Sequence, residues 1–389
     1  MPVNDLLWLL LPVAAASGWW LAKRDEARKR RKSGSGLSSD YYRGLNYLLN
    51  EEQDKALEVF LRLVEIDSET IETHFALGGL FRRRGEVERA IRIHQNILAR
   101  PSLEQSQRTI ALLELAKDYM HAGLLDRAES LFSELVKQRS HATEALSYLL
   151  TIYQRENEWE KAIETARQLS GAKDQDARTV IAHCYCEIAA SQQQEGAIDK
   201  AIVSLEKALS ADPRSVRANI LLGDVYFKQR DYAAAYRYYL KIFQLDEEFI
   251  PEVLVNVLAC IANGVSAQEF DSQIRTLARE GKSSMLIPGL AGYLYGTQGE
   301  TVAHDYVNEQ LRKHPSLKAL KEWVELQRLN DSGADSRLTT VNQVIEKVIR
   351  QLPGYQCRQC GYNSVVLHWQ CPGCKTWSST KPTTLTLMA

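Results

Sequence analysis

An alanine recurs along this chain at Ala56, Ala90, Ala128, Ala162, Ala201, Ala235 and Ala303, in steps of 34, 38, 34, 39, 34 and finally 68, twice 34. Other residues keep the same frame. Gly44, Tyr47, Ala56 and Phe60 are followed 34 positions on by Gly78, Phe81, Ala90 and His94, and the pattern returns as Gly223, Tyr226, Ala235 and Tyr239. A fixed period of this length, with small residues at two recurring points, leaves few folds open: each unit is a pair of helices, and one pair cannot bury its apolar face without a neighbour. In such a pair the glycine of the first helix lets the second approach closely, and the alanine fills the facing position. The aromatic residues of the frame are expected to wedge between neighbouring units. Pro213 and Pro315 fall where a helix must stop. Gly85 and Gly123 fall at the turn inside a unit, where positive φ is cheap for glycine.

A 34-residue period with small residues at the helix crossing is the signature of tetratricopeptide repeats (TPR). The pattern spans residues 37–352 and predicts a mainly α, helical-hairpin solenoid of eight or nine repeats. The steps of 38 and 39 place additional residues near Pro101–Arg108 and near Gly171–Gln175. From Pro251 to Lys282 the frame persists but its residue types are lost, and Lys318–Leu352 reads as a degenerate ninth pair. Only 10 prolines and 21 glycines in 389 residues suit a mostly helical chain. A net charge of −1 argues against a nucleic-acid binder with a broad basic face.

Repeat arrays of this kind bind peptides or proteins along their first helices. A clamp of Lys and Asn for a C-terminal carboxylate would occupy the positions of Tyr41, Phe75, Leu113, Ser147, Cys186 and Ile220, then Leu45, Gly79, Lys117, Thr151, Ala190 and Asp224. These hold one lysine and no asparagine, so that clamp is absent. Arg82, Arg83 and Arg84 spread around one helix and read as a solvated face rather than a groove lining.

Leu6–Ala22 is a run of seventeen residues without a charge, at the short end of the range for a spanning helix. Trp8, Trp19 and Trp20 sit towards its ends, where interfacial aromatics belong. Positive charge follows the run, in Lys23, Arg24, Arg28, Lys29, Arg30, Arg31 and Lys32, and does not precede it. That order favours a retained anchor over a cleaved signal peptide, despite the cleavage-like Ala14-Ala15-Ala16. The expectation is a single-pass inner-membrane anchor (1–22) with a periplasmic N-terminus, a basic linker (23–36) and a cytoplasmic body.

Cys357-Arg358-Gln359-Cys360 and Cys371-Pro372-Gly373-Cys374 are two Cys-x-x-Cys pairs ten residues apart. Such pairs build a closed tetrahedral S4 site for one metal ion, because each spans a tight turn and aims both sulfurs at it. Zinc is expected, and iron fits the same ligands. Gly361 and Pro372-Gly373 are the expected turn residues, and Asn363–Gln370, with Val365, Val366, Leu367 and Trp369, is expected to hold one short strand. A ribbon of this size (353–378) needs the metal to fold. Trp369 and Trp377 are expected to seat it on the last repeat helices, with a loosely ordered tail (379–389). Cys184, Cys186 and Cys260 read as buried thiols.

No nucleophile–base, P-loop or dinucleotide signature stands in an interpretable context, so no catalytic residue is assigned. The order of parts, with the segments LLPVAAA, RGEVERAIRIHQ at Arg84–Gln95, YMHAGLLDRAE at Tyr119–Glu129 and YQCRQCGY at Tyr355–Tyr362, resembles the lipopolysaccharide assembly protein B family (LapB, also called YciM) of Gram-negative bacteria. The resemblance implies a non-enzymatic regulator of lipopolysaccharide synthesis that acts with the membrane protease FtsH to promote degradation of the deacetylase LpxC. It implies that Cys357, Cys360, Cys371 and Cys374 are the metal ligands. Two other readings stand beside it: a TPR-docked, rubredoxin-like redox carrier, and a scaffold for envelope-biosynthesis enzymes that involves no proteolysis.

Overall fold

A computed structural model describes residues 39–383 apart from Glu51, 67–70, Ser102, 170–174, 280–286, His314 and 331–335. The expected anchor and basic linker, and residues 384–389 of the expected tail, lie outside the described residues. Among those described, no helix is long and apolar enough to cross a membrane.

The described residues form eighteen α-helices in nine consecutive pairs. The first four pairs are α1 (Ser39–Leu49) with α2 (Gln53–Ile66), α3 (Ile71–Arg83) with α4 (Val87–Leu98), α5 (Gln105–His121) with α6 (Leu125–Lys137), and α7 (Ala142–Arg155) with α8 (Trp159–Leu169). The next three are α9 (Gln175–Gln194) with α10 (Ile198–Ala211), α11 (Val216–Lys228) with α12 (Tyr232–Leu245), and α13 (Ile250–Ala262) with α14 (Gln268–Arg279). The last two are α15 (Ile287–Gln298) with α16 (Glu300–Lys313), and α17 (Leu317–Asn330) with α18 (Ser336–Gln351). Three short strands follow: β1 (Tyr355–Cys357), β2 (Asn363–Ser364) and β3 (Thr380–Pro382), in the order β2-β1-β3 with both pairings antiparallel.

The pair α11–α12 shows how sequence makes the unit. Ser215 Oγ accepts from the amide of Ala218 to start the first helix, and Asp231 Oδ1 accepts from Ala234 to start the second. Between them Arg230 takes φ 64°, the left-handed conformation that ends the first helix. The same turn position holds Gly85 (φ 79°), Gly123 (φ 75°), Asn157 (φ 59°) and Gly196 (φ 78°). Glycine was thus a correct marker of the turn at Gly85 and Gly123; Gly196 serves likewise, and Asn157 and Arg230 take the left-handed conformation in two other pairs.

Each recurring alanine, Ala56 through Ala303, is fully buried. The glycines do what their spacing predicts, and the frame aromatics do something different. A Cβ on Gly44 would lie 2.8 Å from Phe60, one on Gly78 2.5 Å from His94, and one on Gly223 2.4 Å from Tyr239. The residue at the fourth frame position therefore plugs the crossing of its own pair and is not a wedge between pairs. Tyr239 also ties the crossing to its surroundings: its hydroxyl donates to Asp224 Oδ1 at 2.6 Å and accepts from Asn256 Nδ2 at 3.2 Å.

The irregular steps have a local cause. Helix α5 has 17 residues and α9 has 20, against 13 in α11, so first helices are longer in the two repeats where additional residues were placed. In the seventh pair Phe270 is fully buried close to where an alanine would stand.

The chain divides into two compact units, residues 1–145 and 146–389. In the first, Arg82 is ion-paired and mostly buried, not solvated. It donates to Glu114 Oε2 at 2.6 Å and to the fully buried Asp118 Oδ1 at 2.7 Å, while His94 Nδ1 meets Asp118 Oδ2 at 2.5 Å. Lys117, the one lysine at a clamp position, is held by Glu114 at 2.9 Å and Glu144 at 2.8 Å. Leu113 and, in the second unit, Cys186 are core residues, so those two clamp positions face no ligand.

A Gly223→Ala variant is expected to lose about 1–3 kcal/mol, because the added methyl overlaps the Tyr239 ring. Gly79→Ala meets nothing closer than 4.0 Å and is expected to be neutral or up to about 1 kcal/mol stabilising. Urea denaturation of the two variants beside the parent checks both.

Candidate metal centre

The two cysteine pairs build the same local structure twice. Cys357 donates its amide to Tyr362 O at 2.8 Å and its carbonyl accepts from Gly361 N at 3.0 Å; Cys371 donates to Thr376 O at 3.0 Å and accepts from Lys375 N at 2.9 Å. The residue four past each leading cysteine is left-handed, with φ 76° at Gly361 and 61° at Lys375. Lys375 therefore takes the turn role expected of Gly373. Gly373 sits against the sulfurs with room to spare: a Cβ there would make ordinary contacts, 3.4 Å from Cys360 Sγ and 3.8 Å from Cys371 Sγ.

The four sulfurs lie within 4.8 Å of one another, with Cys357–Cys374 at 3.7 Å and Cys360–Cys371 at 3.6 Å. An ion with metal–sulfur distances of about 2.3 Å in tetrahedral geometry sets its sulfurs about 3.8 Å apart. The donor set therefore fits a closed S4 ion, and Cys357, Cys360, Cys371 and Cys374 form a potential metal-binding site. Burial raises the Cys357 thiol, but its hydrogen bond with Ser379 Oγ and the one it accepts from the backbone amide of Cys360 outweigh it and bring it down to about 6. The thiolate is thus favoured at neutral pH.

The ribbon's secondary structure departs from expectation in two places. The short strand expected within Asn363–Gln370 is confined to Asn363–Ser364, ahead of the hydrophobic run, and the following residues bend so that Val365 and Val366 point to solvent while Leu367 and Trp369 pack on the helical core. Thr380–Pro382, expected within a loose tail, are the third strand, paired along β1.

Within the second unit the ribbon lies on helices of the middle repeats, not chiefly on the last ones. The Trp369 ring stacks on Phe249 (centroids 5.3 Å apart, 12°), with the Arg217 guanidinium 5.8 Å from its centre and His183 6.1 Å away. Trp377 stacks on His183 at 4.6 Å and 16°. His183 and Arg217 are 34 residues apart, equivalent positions on the first helices α9 and α11. His183 Nε2 shares a hydrogen bond of 2.7 Å with Ser378 Oγ. Polar contacts frame the aromatic centre: Arg358 with Glu248 at 2.5 Å, Lys381 with Asp246, Tyr355 Oη donating to Glu252 at 2.9 Å, and Gln370 donating to Gln154 at 3.0 Å. The last pair contributes Lys318, whose ammonium donates to Thr383 O at 3.4 Å.

The comparisons with known proteins follow this division. The Rubredoxin metal binding domain family matches residues 355–382, and Tetratricopeptide repeat families match 73–107, 113–177 and 193–252. A curated Escherichia coli (strain K12) protein named Lipopolysaccharide assembly protein B is 36% identical over 380 residues, covering 97% of this chain and 98% of its own length. The chain belongs to the lipopolysaccharide assembly protein B family. A Haemophilus influenzae member of that name is 34% identical, with 97% and 98% coverage. A crystal structure of MamA protein covers 44% of this chain and 88% of its own at 17% identity and TM-score 0.33, too slight a likeness to carry any argument.

For this family member, the sequence signals of the ribbon were strong and those of its seat were faint. His183 and Arg217 are polar residues recurring at one repeat position, and Asp246-Glu247-Glu248 is an acidic run matched to Arg358 and Lys381 across the interface. Neither signal names its partner until the chain is folded. Cys184 and Cys186 are buried thiols pushed up to about 12, mainly by burial, and are unreactive at neutral pH, as their spacing in helical sequence implied.

Cys357→Ser or Cys371→Ser is expected to lower the bound metal below one equivalent and to release the ribbon from α9 and α11. Elemental analysis with hydrogen-exchange protection of Gln175–Gln194 and Val216–Lys228 reads both effects. His183 provides a separate pH dependence. Burial, with a smaller contribution from Arg217, holds its imidazole down to about 3, so the folded state keeps it neutral while the unfolded chain protonates near 6.5. Its stabilising effect is therefore complete above about pH 6.5 and declines as pH falls towards 3, by about 1 kcal/mol between pH 7 and 5.5. His183→Phe is expected to flatten this acid limb, measured as the difference in urea stability of variant and parent at the two pH values.

Proposed function

We propose that this protein is a membrane-tethered, non-enzymatic adaptor in lipopolysaccharide assembly, holding a client on its repeats beside a membrane protease. The observation that carries the reading is the alignment with Lipopolysaccharide assembly protein B along nearly the whole of both chains, repeats and metal ribbon included. The apolar run Leu6–Ala22, followed by its basic run, supports a single-pass inner-membrane anchor with the N-terminus periplasmic and the body cytoplasmic. The protease and client are FtsH and LpxC. Confinement at the membrane raises the effective concentration of a bound client near the protease, so tethering supplies turnover without any catalytic group in this chain.

In this reading Cys357, Cys360, Cys371 and Cys374 hold one zinc ion. Four thiolates leave no open coordination position, so the ion's contribution is to folding: it closes both knuckles and keeps Trp369 and Trp377 at their seat on His183 and Phe249. The ribbon is part of the binding body.

Depletion of the protein in cells is expected to lengthen the half-life of LpxC several-fold and to raise lipopolysaccharide. A chase experiment after translation arrest measures it, and an unchanged LpxC half-life removes the adaptor reading.

A further inference from the structure

Between the docked ribbon and the helices α7 and α9 runs an open crevice of about 900 Å³, in the size range of ligand clefts. It lies wholly within residues 146–389. Its walls come from two sources: Leu150, Arg155, Val180 and the acidic Asp176 from the helices, and Gln359, Lys375 and Trp377 from the ribbon, with further polar residues between. Neither part alone encloses it. The metal knuckles, which aim Gln359 and Lys375 into the lining, are what complete it.

Its chemistry is specific in kind. Arg155 and Lys375 are both exposed at the crevice, and neither has an anionic partner among the described residues. Thr151, Gln359 and Thr376 carry amide or hydroxyl groups suited to the N–H and C=O of a peptide backbone. Leu150, Val180 and Trp377 offer apolar contact. Two cations against the single carboxylate of Asp176, with backbone-pairing groups and apolar surface in an open trough, match an extended peptide with an acidic side chain better than a compact anion, which would leave the apolar wall unused.

We infer that this crevice is a composite binding site for an extended polypeptide segment bearing an acidic side chain, its carboxylate held by Arg155 and Lys375. The inference rests on the adaptor reading for its purpose but not for its test. It also gives the ribbon a direct role: half of the site is a metal-folded surface, so metal loss removes it.

The test uses full-length protein in detergent and two pools of fluorescein-labelled nine-residue peptides. The pools are identical in mixed sequence except for Glu or Gln at the central position. The Glu pool is expected to bind about five-fold more tightly, as expected of two partly exposed ion pairs, and the preference is expected to shrink at high salt. In the double variant Arg155→Glu, Lys375→Glu the preference is expected to reverse towards a third pool with central Lys, with helicity and metal content unchanged. Equal binding of the Glu and Gln pools, binding unaltered by the charge reversal, no peptide binding at all, or displacement of the Glu pool by millimolar inorganic phosphate with equal affinity would each overturn the inference. Peptide binding that follows these rules while LpxC half-life is unaffected by depletion leaves the site standing and removes only the adaptor reading.

Discussion

The close crossing of the two helices in each pair is the contact on which the rest of the molecule depends. At Gly44, Gly78 and Gly223 the first helix has no Cβ, and the ring of Phe60, His94 or Tyr239 fills the space that one would take. The fully buried alanine on the second helix keeps the backbones near. A pair packed this way still has one apolar face uncovered, so the next pair must cover it, and the array grows by repetition. Tyr239 shows the crossing being joined to its neighbours, since its hydroxyl bonds Asp224 within its own pair and Asn256 on the first helix of the next.

The ribbon obeys a different constraint. About thirty residues with three very short strands cannot bury enough apolar surface to fold independently, so metal binding and docking must both contribute. The seat is built accordingly. Aromatic rings meet a buried neutral histidine and Phe249 at the centre, and opposite charges (Arg358 with Glu248, Lys381 with Asp246) ring the edge. Leu367 and Trp369 join the apolar cluster around Phe249, Val253 and Leu254, so ribbon and repeats share one core. The array therefore offers a partner a surface made jointly by helices and ribbon.

Much of the architecture was legible along the chain. The alanine series marked seven buried helix crossings correctly, and the two Cys-x-x-Cys pairs marked four sulfurs that do converge. The misreadings have physical causes. Arg82 looked solvated because a run of three arginines is usually so, yet two acids from the neighbouring first helix lie within reach, one of them the buried Asp118. Val365 and Val366 looked like strand because β-branched residues favour pleated surfaces, but docking of Leu367 and Trp369 bends the chain there and leaves the valines outside. Glycine was expected at both knuckle turns, whereas only Gly361 takes the left-handed conformation in the first and Lys375 takes it in the second.

The sequence by itself determined the helix-pair array, its turns and the set of four cysteines, because each follows from residue types at short, regular spacings. Tertiary structure alone decided where the ribbon rests and which residues receive it. His183 and Trp377 are 194 positions apart, and Gln154 and Gln370 are 216. Nothing local distinguishes a polar residue that will be buried under a ribbon from one that will remain in water. That choice is made by shape and charge matching between surfaces that exist only after each part has folded.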